Sequence, residues 1–180
     1  KFDEYIHKSF SRDDRALGAL YWAQALYGQG RWEDMVATLE GGVKSYGKTM
    51  AAGGLVFWLA RAQYELQRYK EVLALLDGFE KRYPQDPFET RVARLRAHSF
   101  LALNRTEKAL TAFSHFHRKY PRSAEASDNL LDWANVLIQE GKKDEAKNIL
   151  DQIIHTYATS MAAQKARLTL GRLWVEQKTF

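Results

Sequence analysis

The chain's 180 residues are 46% apolar and 13% aromatic, enough nonpolar material for a continuous core, which argues against intrinsic disorder. The absence of cysteine excludes disulfides, zinc–thiolate and iron–sulfur sites, cysteine nucleophiles and a lipid-attachment cysteine from these residues. With 27 Lys and Arg against 22 Asp and Glu the net charge is +5, a mild bias toward acidic partners, and the longest charge-free run, Ala16 to Gly30, falls short of the roughly 20 apolar residues of a membrane span.

Residues 1–10 lack the basic, apolar and small-residue succession of a secretory signal and read as mature protein or an excised piece. Phe10-Ser11-Arg12 echoes Tyr120-Pro121-Arg122 with a one-residue slip, which makes residues 1–10 the end of a preceding repeat. From there a 37-residue period governs the chain. It links Tyr46, Tyr83, Tyr120 and Tyr157; Arg31, Arg68, Arg105 and Lys142; and Leu39, Leu76, Phe113 and Leu150. Small residues follow it at Ala23, Ala60, Ala97, Ala134 and Gly171, and a shrinking column runs Met35, Val72, Ala109, Ala146.

Each period divides into two helices. Thr49, Asp86, Ser123 and Ser160 are placed to cap first helices, Asp86 strengthened by Pro87 at the first helical position and by Glu89. Gly30, Gln67, Asn104 and Gly141 mark where the first helix stops in a left-handed residue. Second helices carry acids early (Glu33, Asp34, Glu71, Glu107, Asp144, Glu145) and bases late (Lys44, Lys81, Arg118, His155), matching the helix dipole. Pro84 and Pro121 close two of them. The predicted helices are 13–29, 32–46, 50–66, 69–83, 86–103, 106–120, 123–140, 143–157 and 160–178. The fold class is therefore all-α: a right-handed superhelical solenoid of antiparallel pairs over 1–180, because each repeat has an apolar seam that only a neighbour can cover. The pairs are 13–46, 50–83, 86–120 and 123–157, with 160–178 the first helix of a fifth. Both ends read as cut from a longer array, and Ile6, Phe10, Leu170 and Trp174 are expected to support a dimer through those ends.

A small residue in the first helix, an aromatic or Leu four after a small residue in the second, and a closing Tyr-Pro together resemble the tetratricopeptide repeat. Trp133-Ala134, Gly141, Ala146, Leu150, Ile153 and Tyr157 form the clearest copy. The phrase from Ala109 through Phe113, Phe116, Tyr120-Pro121 and Ser123 to Ala126 is similar to repeats of bacterial envelope adaptors of the BamD and CpoB type. That resemblance implies a non-enzymatic adaptor in the periplasm or at the outer membrane, with a cytoplasmic location as the alternative.

Catalytic and cofactor chemistry finds no anchor in the residues. His115 and His117 point to opposite sides of a helix and cannot share a metal, and Asp128 and Asp132 read as solvated carboxylates. No nucleophile elbow, phosphate loop or dinucleotide fingerprint occurs, so no cofactor and no small-molecule substrate are expected. Most of the five tryptophans, Trp22 and Trp133 among them, are assigned to the core.

The resemblance implies that first helices line a concave groove. Its polar column is Gln24, Arg61, His98, Asn135 and Arg172. Neighbouring columns add Leu17, Gly54, Arg91, Asp128 and Lys165, then Leu20, Phe57, Arg94, Leu131 and Leu168. The expected contacts are Leu17, Gln24, Phe57, Arg61, Arg91, Arg94, His98, Leu131, Asn135, Leu168 and Arg172, binding a protein or peptide of acidic character. An RNA-reading helical repeat is the alternative, for which +5 over almost five repeats is a thin charge.

Overall fold

The chain reverses direction at the column Gly30, Gln67, Asn104 and Gly141, all four in the left-handed region with φ of +70°, +59°, +54° and +76°. In three of these turns the next residue donates its N–H five residues back, Arg31 to Leu26, Arg68 to Gln63 and Lys142 to Leu137, at 3.0, 2.9 and 2.8 Å. This is the Schellman closure, which satisfies carbonyls a helix end would otherwise leave open.

The computed structural model describes residues 11–178. Their ten helices are α1 (Arg12–Gly28), α2 (Trp32–Tyr46), α3 (Ala52–Glu65), α4 (Tyr69–Leu76), α5 (Phe79–Arg82), α6 (Glu89–Ala102), α7 (Thr106–Lys119), α8 (Ala126–Gln139), α9 (Lys143–Thr156) and α10 (Met161–Lys178). No strand occurs among the described residues. The preceding-repeat reading of residues 1–10, with Ile6 and Phe10, lies outside them. The chain divides into two compact units, Lys1–Leu103 and Asn104–Phe180.

In the first unit α1, α2, α3 and α4 pack in sequence, α4 and α5 both pack on α6, and the first helices α1, α3 and α6 also touch in order. Ala23, Ala60 and Ala97 let second helices approach closely and are buried, as are Met35, Val72, Leu39, Leu76 and Phe79. The second unit repeats the scheme with Ala134, Ala109, Ala146, Phe113, Leu150, Phe116 and Ile153. Each large side chain so buried contributes about 1.5–3 kcal/mol of transfer free energy. Tyr46, Tyr83, Tyr120 and Tyr157 are half-buried at the ends of their repeats, and the Tyr157 hydroxyl donates to the Pro121 carbonyl at 2.6 Å.

Several helix boundaries depart from the sequence reading. First helices α3, α6 and α8 start two to three residues later than predicted, after a tight turn. Asp86 does not cap α6: it accepts from the N–H of Phe88 (2.8 Å), the residue before the helix, and so closes the turn; Ser160 does cap, accepting from the N–H of Ala163 (3.0 Å). Thr49 and Ser123 do not: the Thr49 hydroxyl donates back to the Tyr46 carbonyl, and the Ser123 hydroxyl is buried without a partner. Backbone carbonyls of these two residues take the turn's N–H groups instead, from Ala52 and Ala126.

The second helix predicted over 69–83 is broken. Asp77 is extended and Gly78 left-handed at φ +60°, so these two residues separate the end of α4 from the start of α5. Guanidiniums satisfy the carbonyls this frees. Arg82 donates to Leu75 and Asp77 at 2.6 and 2.8 Å, and Arg96 donates to Leu76 at 3.0 Å while pairing with Glu80 at 3.0 Å. Arg96 stands in the column that holds Leu59 and Trp133 in the neighbouring repeats, and the break explains the exchange. Phe79 resumes the buried column after the interruption.

Candidate functional site

First-helix faces carry the candidate residues, and each unit's face is described by itself. In the first unit Arg61 follows the buried Ala60, and Tyr64 and Glu65 share its face at i+3 and i+4. The guanidinium pairs with Glu65 at 2.5 Å and donates to the Tyr27 hydroxyl at 3.0 Å. That hydroxyl donates in turn to Glu65 at 3.2 Å. Arg61 lies between two rings, 5.4 Å from the centroid of Tyr27 and 5.5 Å from that of Tyr64. Its charge is thus paired within the chain, through Nε and Nη2.

Around this cradle runs an aromatic series: Trp32 on Tyr27 at 4.8 Å, Tyr27 on Trp58 at 5.1 Å, Trp58 on Phe57 at 5.3 Å and Phe57 on Phe88 at 5.0 Å. Phe57 is 7% exposed and Gly54 is buried; a Cβ on Gly54 would come within 2.9 Å of Phe88 and 3.0 Å of Leu20. These residues build the wall of the face and offer it little surface. Arg91 is exposed, its guanidinium 5.4 Å from the Phe88 ring centroid. Arg94 and His98 are half-buried and engaged with neighbours, whereas Leu17 and Gln24 are exposed.

In the second unit Leu131 is 8% exposed and supports the wall, and Asn135 is exposed. Helix α10 presents a different face. Met161, Leu168 and Val175, seven residues apart, are 63%, 67% and 65% exposed, and Lys165 and Arg172 alternate with them. Neither cation has a hydrogen bond or ion pair among the described residues. The one acid on α10, Glu176, pairs with Lys143 of α9 at 2.8 Å. The helix therefore presents apolar and cationic groups together.

Trp22 is exposed rather than part of the core, because among the described residues α1 has a second helix only on its C-terminal side; Trp133 is half-buried. Trp174 is also exposed, with the Lys147 ammonium 5.4 Å from its ring centroid. Sequence reasoning missed Tyr27, Tyr64, Glu65, Met161 and Val175 as members of the two faces. The signal was present: all but Met161 lie three or four residues after the polar column and so share its side of the helix.

Two family models, both described as tetratricopeptide repeat, match residues 20–87 and 128–160. No curated protein matches the chain. Among solved structures it is similar to the nearly identical TPR-like repeats of Podosopora anserina, with TM-score 0.75, 16% identity, and 92% of this chain and 88% of that one covered. It is similar to a thermophilic TPR protein of Thermus thermophilus, with TM-score 0.66, 21% identity and coverage of 90% and 82%. It also matches YrrB, a TPR protein with an unusual peptide-binding site, at TM-score 0.52, 15% identity and coverage of 92% and 97%. At these identities the likeness shows the fold, an all-helical TPR-like solenoid.

Proposed function

We propose that this chain of tetratricopeptide repeats is a non-enzymatic scaffold that binds an acidic segment of a partner protein along its first-helix faces. The observation that carries the reading is the α10 face, where Lys165 and Arg172 stand unpartnered between exposed Met161, Leu168 and Val175. Carboxylates on the partner meet the cations, and apolar side chains cover the stripe, an unscreened contribution of about 25 cal/mol per Å². Leu17, Gln24, Arg91, Arg94, His98 and Asn135 are the remaining polar and apolar contacts of the proposal. Phe57 and Leu131 act from beneath, and Arg61 acts as part of an aromatic ledge rather than as a free charge. The peptide-binding site ascribed to YrrB lends the reading support by likeness of fold.

Pulldown from the native source tests it, with Lys165→Glu combined with Arg172→Glu as the comparison bait. Loss of an acidic protein by about tenfold or more supports the proposal; equal capture by both baits overturns it. A bacterial envelope setting is the second part of the proposal, drawn from the Tyr120-Pro121 phrase, and fractionation of the native cells tests that part alone.

A further inference from the structure

The side of the first unit formed by its second helices holds a groove of about 520 Å³ between α2 and α4. It is independent of the faces described above. Three helices converge there at helical spacing: Val43 of α2, Leu59 of α3 and Leu75 of α4 form an apolar floor. Glu40 and Lys44 rise from one wall, Glu71 and Arg82 from the other. The volume lies within the range of sites that take a small ligand or a single large side chain.

One polar group opens into this space from beneath. Gln63 lines the groove, yet it is only 6% exposed. Its Oε1 accepts from the Arg68 guanidinium at 3.3 Å. Only the oxygen of an amide can accept from arginine, so Nε2 is the end left over. Among the described residues Nε2 has no partner. That donor borders the groove without a protein acceptor, so an acceptor arriving there with a ligand can meet it.

The rim decides what brings the acceptor. Two carboxylates face two cations, so an anion meets Glu40 and Glu71, a cation meets Lys44 and Arg82, and neither gains a net charge. A neutral ligand with an apolar body and one carbonyl fits both floor and rim. We propose that the groove docks a single large apolar side chain of a partner polypeptide, whose adjacent backbone carbonyl accepts from Gln63 Nε2. Lys44, whose place in the last turn of α2 otherwise serves the helix dipole, gains a second role on the rim.

The test uses N-acetylphenylalaninamide as probe, titrated while the side-chain amide resonances of the intact chain are followed by NMR. N-acetylphenylalanine and phenylethylamine serve as its anionic and cationic counterparts. The neutral probe is expected to shift the Gln63 amide saturably and to bind at least about tenfold more tightly than either charged one. Ala74→Trp, which fills the groove from an exposed position, is expected to abolish the shift, and Gln63→Leu to weaken binding about tenfold. Should Gln63→Leu lower the melting temperature substantially, Ala74→Trp alone carries the comparison. No shift at Gln63, equal affinity for all three probes, or a shift that survives Ala74→Trp overturns the proposal. The Lys165→Glu, Arg172→Glu variant shares no residue with the groove and is expected to bind the probe normally, so failure here and failure of the first-helix reading are separable.

Discussion

Arg61 and Arg172 occupy the same place in the 37-residue register, each with a glutamate four residues on, but only Arg61 is held. Tyr27 and Tyr64 flank it and Glu65 pairs with it. Around Arg172 the two tyrosine positions are filled by Ile138 and Val175, and Glu176 is drawn away by Lys143. Lys143 stands in the column that holds Trp32 in the first unit, and a tryptophan, which cannot pair with a carboxylate, leaves Glu65 to Arg61. Whether a cation in a repeat is a structural tie or an offered charge is thus set by three neighbouring columns, not by its own. The first unit presents a finished aromatic wall; the second presents a face with charges still to be met.

The largest expected effect comes from breaking the wall. Tyr27→Ala removes a half-buried ring packed on Trp32 and Trp58, together with two hydrogen bonds, and is expected to lower stability by about 2 kcal/mol in denaturant titration. Val175→Ala, at the matching register position on the open face, is expected to change stability by less than about 0.5 kcal/mol. Equal losses would erase the distinction between the two faces.

Next comes Gln67→Gly in the first unit. Gln67 holds φ +59°, where a glycine pays no Cβ penalty, and the exchange is expected to raise stability by about 0.5–1 kcal/mol in the same titration. A loss of stability would mean that the Gln67 side chain has a role in this turn.

The units also differ in pH response. Burial raises the Asp86 carboxyl above its ordinary 3.8 despite the Phe88 N–H it accepts. The folded chain then binds the proton more tightly than the unfolded one, so first-unit stability falls as pH rises from about 3.8 through the raised value. Burial lowers His117 below its ordinary 6.5, its Nδ1 enclosed without a partner. There the unfolded chain is protonated first, so second-unit stability falls as pH drops below about 6.5. Amide hydrogen exchange resolves the two slopes, and Asp86→Asn and His117→Gln are each expected to flatten one of them.

A smaller effect is expected from Lys143→Ala on α9, whose only ion pair is with Glu176 of α10 among the described residues. It releases Glu176 to pair with Arg172, an i, i+4 contact of about 0.3–0.5 kcal/mol, and so weakens acidic-partner binding roughly twofold in a titration.

Much of this fold was legible in the sequence because its period is carried by residues with single physical reasons. The tyrosine column fixed repeat ends, and the column Gly30, Gln67, Asn104, Gly141 fixed the turns even at Gln67, a poor left-handed former. The break at Asp77-Gly78 was missed although Asp-Gly is a turn signal, because the 37-residue register ran through it undisturbed. Capping at Thr49 and Ser123 failed because their turns satisfy helix-start N–H groups with backbone carbonyls, which leave no mark in composition. Of the candidate site, the polar column was readable; which of its cations are engaged was not, since that depends on contacts between helices 33 to 38 residues apart, such as Arg61 with Tyr27 and Lys143 with Glu176.

The most direct measurement is the affinity of the captured acidic partner for three chains in parallel: unmodified, Arg61→Glu and Arg172→Glu, at low and at physiological salt. Arg172→Glu is expected to weaken binding about tenfold, or about 1.4 kcal/mol, with the difference shrinking as salt screens the exposed charge. Arg61→Glu places a second acid beside Glu65 and is expected to cost stability while changing affinity less than about twofold. Equal losses of affinity at both positions, or a loss at Arg61 alone, would contradict the account.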